Sequence, residues 1–374
     1  MSQPVGTSIR STASVSDRGL VAVFFFTMLT FAVLDGPMWM AKTAGRHGWV
    51  PVAVGAALVA PPILAMIDLA ARFPGMTVFQ YSVHLLGRPL AFVANGLLIL
   101  HSFAFVGYVL RQFSDLVQTY LLPTTPSWAI VILVVSGMVM ILSLGPIPLS
   151  RVAQLLALPA GISALMLVGV ALRNVNLVYL APVFPVPTSA VIAGASMGIF
   201  PNVPIKNLFV QLALARQPRR LRRPLLATHA AVAAFKVLVT VAAVGIFGDQ
   251  GARLLSWPTL EILRTVQAPL ALLEELGLPG LLVYQVVLFV SIAVYFVTSY
   301  TGIPAWLGLG PGVMPVLLPL LGLVVGGIAL LPQDRTQVDL LRAAVLYGAY
   351  HTSVGYPLLL WLVARVRDAG EPRP

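Results

Sequence analysis

The stretch VLDGPMWMAKTAG, Val33–Gly45, sets an aspartate, a glycine and a proline side by side within an apolar run that extends from Leu20 to Lys42. Proline removes an N–H and crowds the turn before it, so carbonyls near Pro37 lose their intrahelical partners. In lipid such groups must be re-satisfied, and irregular backbone persists only where protein or a water-filled cavity covers it. The composition decides that lipid is the relevant solvent. The 374-residue chain is 59% hydrophobic and 9% charged, with a mean hydropathy of +0.93. An ordinary soluble domain is about one quarter charged, so an all-α integral membrane protein is expected.

Working outward from this stretch, ten apolar runs approach the roughly 20 residues needed to cross a bilayer. They are Leu20–Lys42, Val50–Ala70, Pro89–Leu110 with a continuation toward Thr119, Trp128–Leu144, Val152–Leu172, Ala190–Leu214, Pro224–Phe247, Leu281–Ile303, Val313–Leu331 and Leu340–Val363. They form one ten-helix transmembrane domain, residues 19–366, between tails at 1–18 and 367–374. The first run is too long for a signal peptide and is not followed by a small-residue cleavage site, so it is expected to be retained. A formal charge of +11 would suggest a nucleic-acid partner in a soluble chain. Here the charge follows the membrane instead. With the N-terminus cytoplasmic, thirteen of the 23 basic residues fall on that side, seven on the other and three (Arg111, Lys206, Lys236) inside spans. Both termini are therefore expected in the cytoplasm, with the run RQPRRLRR, Arg216–Arg223, anchoring spans six and seven, and no nucleic-acid partner. Cysteine is absent, which excludes disulfides and thiolate chemistry.

Ten spans divided five and five place the second half in the opposite orientation, so any repeat, about 19–173 and 187–366, must be inverted. Spans one and six then correspond. The sixth carries its own interruption, FPNVPIKN, Phe200–Asn207. Proline or glycine breaks at matching positions of two halves point to a transporter-type site near the bilayer midplane. Each break is expected to start a new half-helix, near Met38 and near Ile205, whose free N–H groups suit a carboxylate. Ordinary proline kinks are the alternative. Gly36 is expected to supply the permissive backbone angles and Asp35 a charge at a depth where charge is expensive.

Six ionisable residues lie within the spans. Arg111 and Asp115, spaced i,i+4, are expected to pair on one helix face, and Asp68 with Arg72 near the membrane surface. Lys236 is mid-span, with contacts to carbonyls or a transport role both open. Asp35 and Lys206 lie at the two breaks. They either pair across a cavity, or Lys206 holds a ligand carboxylate while Asp35 or freed carbonyls take the ammonium, or they form a bridge that never meets ligand. Hydroxyls at Tyr108, Tyr295, Thr298, Ser299 and Tyr300 could line a cavity or bond between helices. Gly326 and Gly327 read as close helix packing. The five histidines show no metal-ligand spacing, and no nucleophile–base pair or phosphate loop is present, so no metal, cofactor or enzyme chemistry is expected.

The segments MAKTAGRHGW (Met40–Trp49), ARFPGMTVFQYSVHLLGRPL (Ala71–Leu90), YVLRQFSDLVQTYLLPTTPSWAI (Tyr108–Ile130) and SWPTLEILRTV (Ser256–Val266) resemble the spore germination receptor B-subunits, the GerAB family of the amino acid–polyamine–organocation transporter superfamily. The resemblance runs from about Gly19 to the tenth span. It implies a LeuT-like fold with a 5+5 inverted repeat and broken helices one and six. It also implies a nutrient sensor of the spore inner membrane that acts with an A-subunit and a lipoprotein C-subunit, with an amino acid as the usual germinant. By analogy the pocket comprises Leu34, Asp35, Gly36, Phe200, Pro201, Asn202 and Lys206. Asp35 departs from the small apolar residues expected at that break. A proton-coupled amino-acid permease is the second reading on this fold, and a scaffold subunit without ligand the third.

Overall fold

A computed structural model of the chain describes residues 15–265 and 277–367, and no strand occurs among them. Most of the two expected tails lies outside the described residues, including Arg10 and Arg373, two of the thirteen basic residues counted on the cytoplasmic side. Each of the ten apolar runs falls on helical structure. Six stretches are long and apolar enough to cross a membrane: Trp49–Arg72, Arg88–Tyr120, Pro146–Arg173, Thr188–Leu214, Pro218–Leu254 and Leu281–Leu307. Spans four and nine are shorter apolar helices, Ser127–Ser143 and Met314–Leu330. Spans one and ten are divided. Two further helices, Val78–Leu86 and Pro258–Thr265, lie between spans two and three and after span seven.

Span one runs as Asp17–Thr30 and resumes as Gly36–Ala44. The residue in the left-handed region is Ala32, with φ 57°, and not Gly36. A Cβ at φ above zero crowds the carbonyl oxygen, so the break stores strain of about 1–2 kcal/mol. Span six runs as Thr188–Met197, then three-residue turns over Phe200–Asn207, then a short α turn at Leu208–Gln211. The half-helix expected at Ile205 does not form. Pro201 and Pro204 remove two donors three residues apart, and the chain tightens to i→i+3 bonding instead. Span ten, expected as one run, contains a π turn at Tyr350–Gly355 between Arg335–Ala349 and Tyr356–Val366. Pro357 opens the last of these helices.

Close packing brings spans two and six together. A Cβ on Gly55 would run into the backbone of Gly198, and one on Gly194 would lie 2.6 Å from the Val54 side chain. In span nine, a Cβ on Gly326 would lie 3.4 Å from Val131 of span four, an ordinary contact, whereas Gly327 faces open space, so only the first serves helix packing. Leu155, Leu158 and Leu165 on span five are each more than 70% exposed. A bilayer covers such a face and water does not tolerate it. Arg111 Nε and Asp115 Oδ1 pair at 2.8 Å, with a further Arg111 bond to the Pro332 carbonyl, and Arg72 pairs with Asp68 at 3.3 Å.

Candidate functional site

The two breaks meet. The ring of Phe31 lies 5.0 Å from that of Phe200 and 4.9 Å from that of Phe105, with Tyr108 of span three beside both breaks at 6.5 and 6.2 Å. This aromatic cluster holds the interrupted parts of spans one and six against span three.

At the span-one break the backbone partners are hydroxyls. Tyr295 donates to the Thr27 carbonyl at 2.8 Å, Tyr284 to Thr30 at 3.0 Å, and Thr259, from the helix after span seven, to Val33 at 2.6 Å. Asp35 is 8% exposed. Its Oδ2 accepts from the Tyr108 hydroxyl at 3.2 Å and from Gln112 Nε2 at 3.3 Å, and Gln112 also reaches the Tyr108 oxygen at 3.1 Å. Asp35 belongs to none of the ion pairs among the described residues. A buried carboxylate with only neutral donors requires a cation or water to complete its shell. A cavity of about 30 Å³ opens beside it, lined by Thr30, Leu34, Asp35, Tyr108, Gln112 and Trp257 among others.

At the span-six break the freed carbonyls are taken by Lys236, which donates to Pro201 at 2.6 Å, by Ser353 of the π turn, which donates to Val203 at 3.1 Å, and by Asn207, which donates to Pro204 at 3.0 Å. Lys236 therefore contacts a carbonyl, one of the two roles left open for it. A space of about 10 Å³, on the scale of one water, remains between Gly36, Pro37, Pro201 and Lys236.

Of the expected site residues, Leu34 and Asp35 line the polar cavity, and Gly36 and Pro201 line the small space between the breaks. Phe200 belongs to the aromatic cluster. Asn202 turns back to the Gly198 carbonyl at 3.0 Å. Lys206 does not pair with Asp35. It is fully buried against span three, with Nζ 3.1 Å from His101 Nδ1 and 4.4 Å from the centre of the Phe105 ring. His101 Nε2 faces the Val345 carbonyl at 2.9 Å, which can only accept, so Nδ1 is the acceptor for Lys206. Sequence reasoning missed Gln112, Thr259, Trp257 and Arg342. Gln112 was findable, because Tyr108 and Gln112 are spaced i,i+4 and share a face with each other. Arg342, one of the seven basic residues counted on the non-cytoplasmic side, lies on the first helix of span ten, Arg335–Ala349, with its guanidinium 3.3 Å over the Trp39 ring centre. Its Nε lies 3.6 Å from Asp339 Oδ1 on the same helix, and the guanidinium is 5.8 Å from the Phe200 ring centre. The site thus offers a carboxylate open to a cation and, nearby, a guanidinium held on an indole face.

Residues 14–338 match the family model described as spore germination protein, Spore_permease. The spore germination protein YndE of Bacillus subtilis (strain 168) is 22% identical over 96% of this chain and 99% of its own length. Spore germination protein B2 of the same organism is 19% identical over 67% of this chain and 68% of its own. Among solved structures, a Na+-coupled sialic acid symporter in a substrate-bound outward-open state superimposes with a TM-score of 0.68 at 11% identity, covering 93% of this chain and 80% of that one. MhsT in complex with L-phenylalanine gives a TM-score of 0.64 at 13% identity, covering 95% and 97%. The fold is that of LeuT-type transporters, which agrees with the ten-span, inverted-repeat expectation.

Proposed function

Because the chain belongs to the spore germination permease family and is a multi-pass membrane protein with a LeuT-type fold, we propose that it is the membrane subunit of a spore nutrient germinant receptor. It binds a small germinant, an amino acid, at mid-membrane and signals to an A-subunit and a lipoprotein C-subunit in the spore inner membrane, with both termini cytoplasmic. The observation that carries this reading is Asp35: a buried carboxylate at the span-one break, with no ion-pair partner among the described residues, facing a cavity. The germinant's ammonium completes its shell, and the charge-assisted bond is worth about 1.5–3 kcal/mol.

The test is binding and uptake of a pool of labelled amino acids by the purified protein in proteoliposomes, with Asp35→Asn as companion. Saturable binding without uptake, weakened roughly ten- to a hundredfold by the substitution, is the expected result. Saturable uptake abolished by Asp35→Asn would make the protein a permease and remove the receptor assignment.

A further inference from the structure

A cavity of about 210 Å³ lies between spans one, five, seven and eight and the helix Pro258–Thr265. Its walls are apolar except for Thr30, Ser163, Thr259 and Tyr284. Three of these are already committed: Thr30 to the Phe26 carbonyl, Thr259 to Val33 and Tyr284 to Thr30. Ser163 alone offers a free polar group, and a water needs two to four partners, so the space suits an apolar occupant. Thr30, Leu34 and Tyr284 line both this cavity and the polar one at Asp35, so the two adjoin.

We propose that this cavity receives the side chain of the ligand whose ammonium Asp35 holds, so that the site selects amino acids with branched aliphatic or aromatic side chains over small ones. The inference rests on the reading of Asp35 given above. Size supports it, since an apolar cavity of about 150 Å³ accommodates benzene. A lipid chain is the competing occupant. Continuity with a carboxylate that has no ion pair among the described residues argues for a ligand that is charged at one end and apolar at the other.

Equilibrium binding of labelled glycine, L-alanine, L-leucine and L-phenylalanine to the full-length protein in nanodiscs tests the proposal. Each methylene that leaves water raises affinity about fourfold, so leucine should bind more than tenfold tighter than glycine. Ala164→Phe, which fills the cavity from span five, should cut that preference tenfold or more. Ser163→Phe enters from an exposed position on the same helix and serves if the first variant fails to fold. A flat series, a preference that survives both variants, or a bound lipid released by the variants with the series unchanged overturns the inference. If the flat series still depends on Asp35, the receptor reading stands. Absence of binding by every amino acid overturns both.

Discussion

At the break in span one the freed carbonyls are taken by uncharged hydroxyls of Tyr284, Tyr295 and Thr259, and the carboxylate of Asp35 has no ion pair among the described residues. At the break in span six a charged side chain does the backbone's work: Lys236 bonds the Pro201 carbonyl, and the remaining acceptors are closed by Ser353 and Asn207. Both breaks meet the requirement that backbone polar groups be satisfied away from water. They differ in what is left over. The first keeps a charge available to a ligand, and the second uses its charge to hold itself together. A charged residue at a helix break is thus not evidence of a ligand contact until its partner is known.

The contrast can be broken by removing the cation from the second break. Lys236→Met leaves the Pro201 carbonyl buried without a donor and should lower stability by about 1–3 kcal/mol, read as a fall in the thermal midpoint of the detergent-solubilised protein. An unchanged midpoint would mean that water replaces the lysine and that the break is not sealed. The strain at the first break is smaller. Ala32→Gly relieves the left-handed conformation and should raise stability by about 1 kcal/mol, less the chain entropy that glycine adds, and a lowered midpoint would show that the Ala32 methyl makes packing contacts worth more than the strain. Lys206→Met should have the least effect. Met is apolar and of similar length, so it fills the space of the lysine stem without opening a cavity, Thr352 remains 2.8 Å from His101 Nδ1, and ligand affinity should stay within about twofold. A large loss of affinity would return Lys206 to the site.

The sequence carries the ten spans because the apolar runs are long and their interruptions are made by proline, whose effect on a helix is local. It carries the Arg111–Asp115 and Asp68–Arg72 pairs for the same reason, since i,i+4 spacing places both groups on one face. The Val78–Leu86 helix is absent from the runs read above, although Thr77 and Gln80, spaced as a capping box, mark its start. What each buried cation contacts was not legible. Lys206 meets His101 and Lys236 meets Pro201 across 105 and 35 residues, and nothing in the neighbourhood of either lysine specifies such a partner. The left-handed residue falls on Ala32 and not on Gly36, four residues on, where Phe31 packs between Phe105 and Phe200 and tertiary packing outweighs local preference.

Of the six tryptophans in the chain, two stand at the site: Trp257, 8% exposed, lines the cavity at Asp35, and Trp39 carries the Arg342 guanidinium on its ring. Indole emission depends on local polarity and on nearby charge. For the germinant binding proposed above, the molecule thus carries its own optical gauge of occupancy, one indole beside the aspartate and the other beneath the arginine, with no label attached.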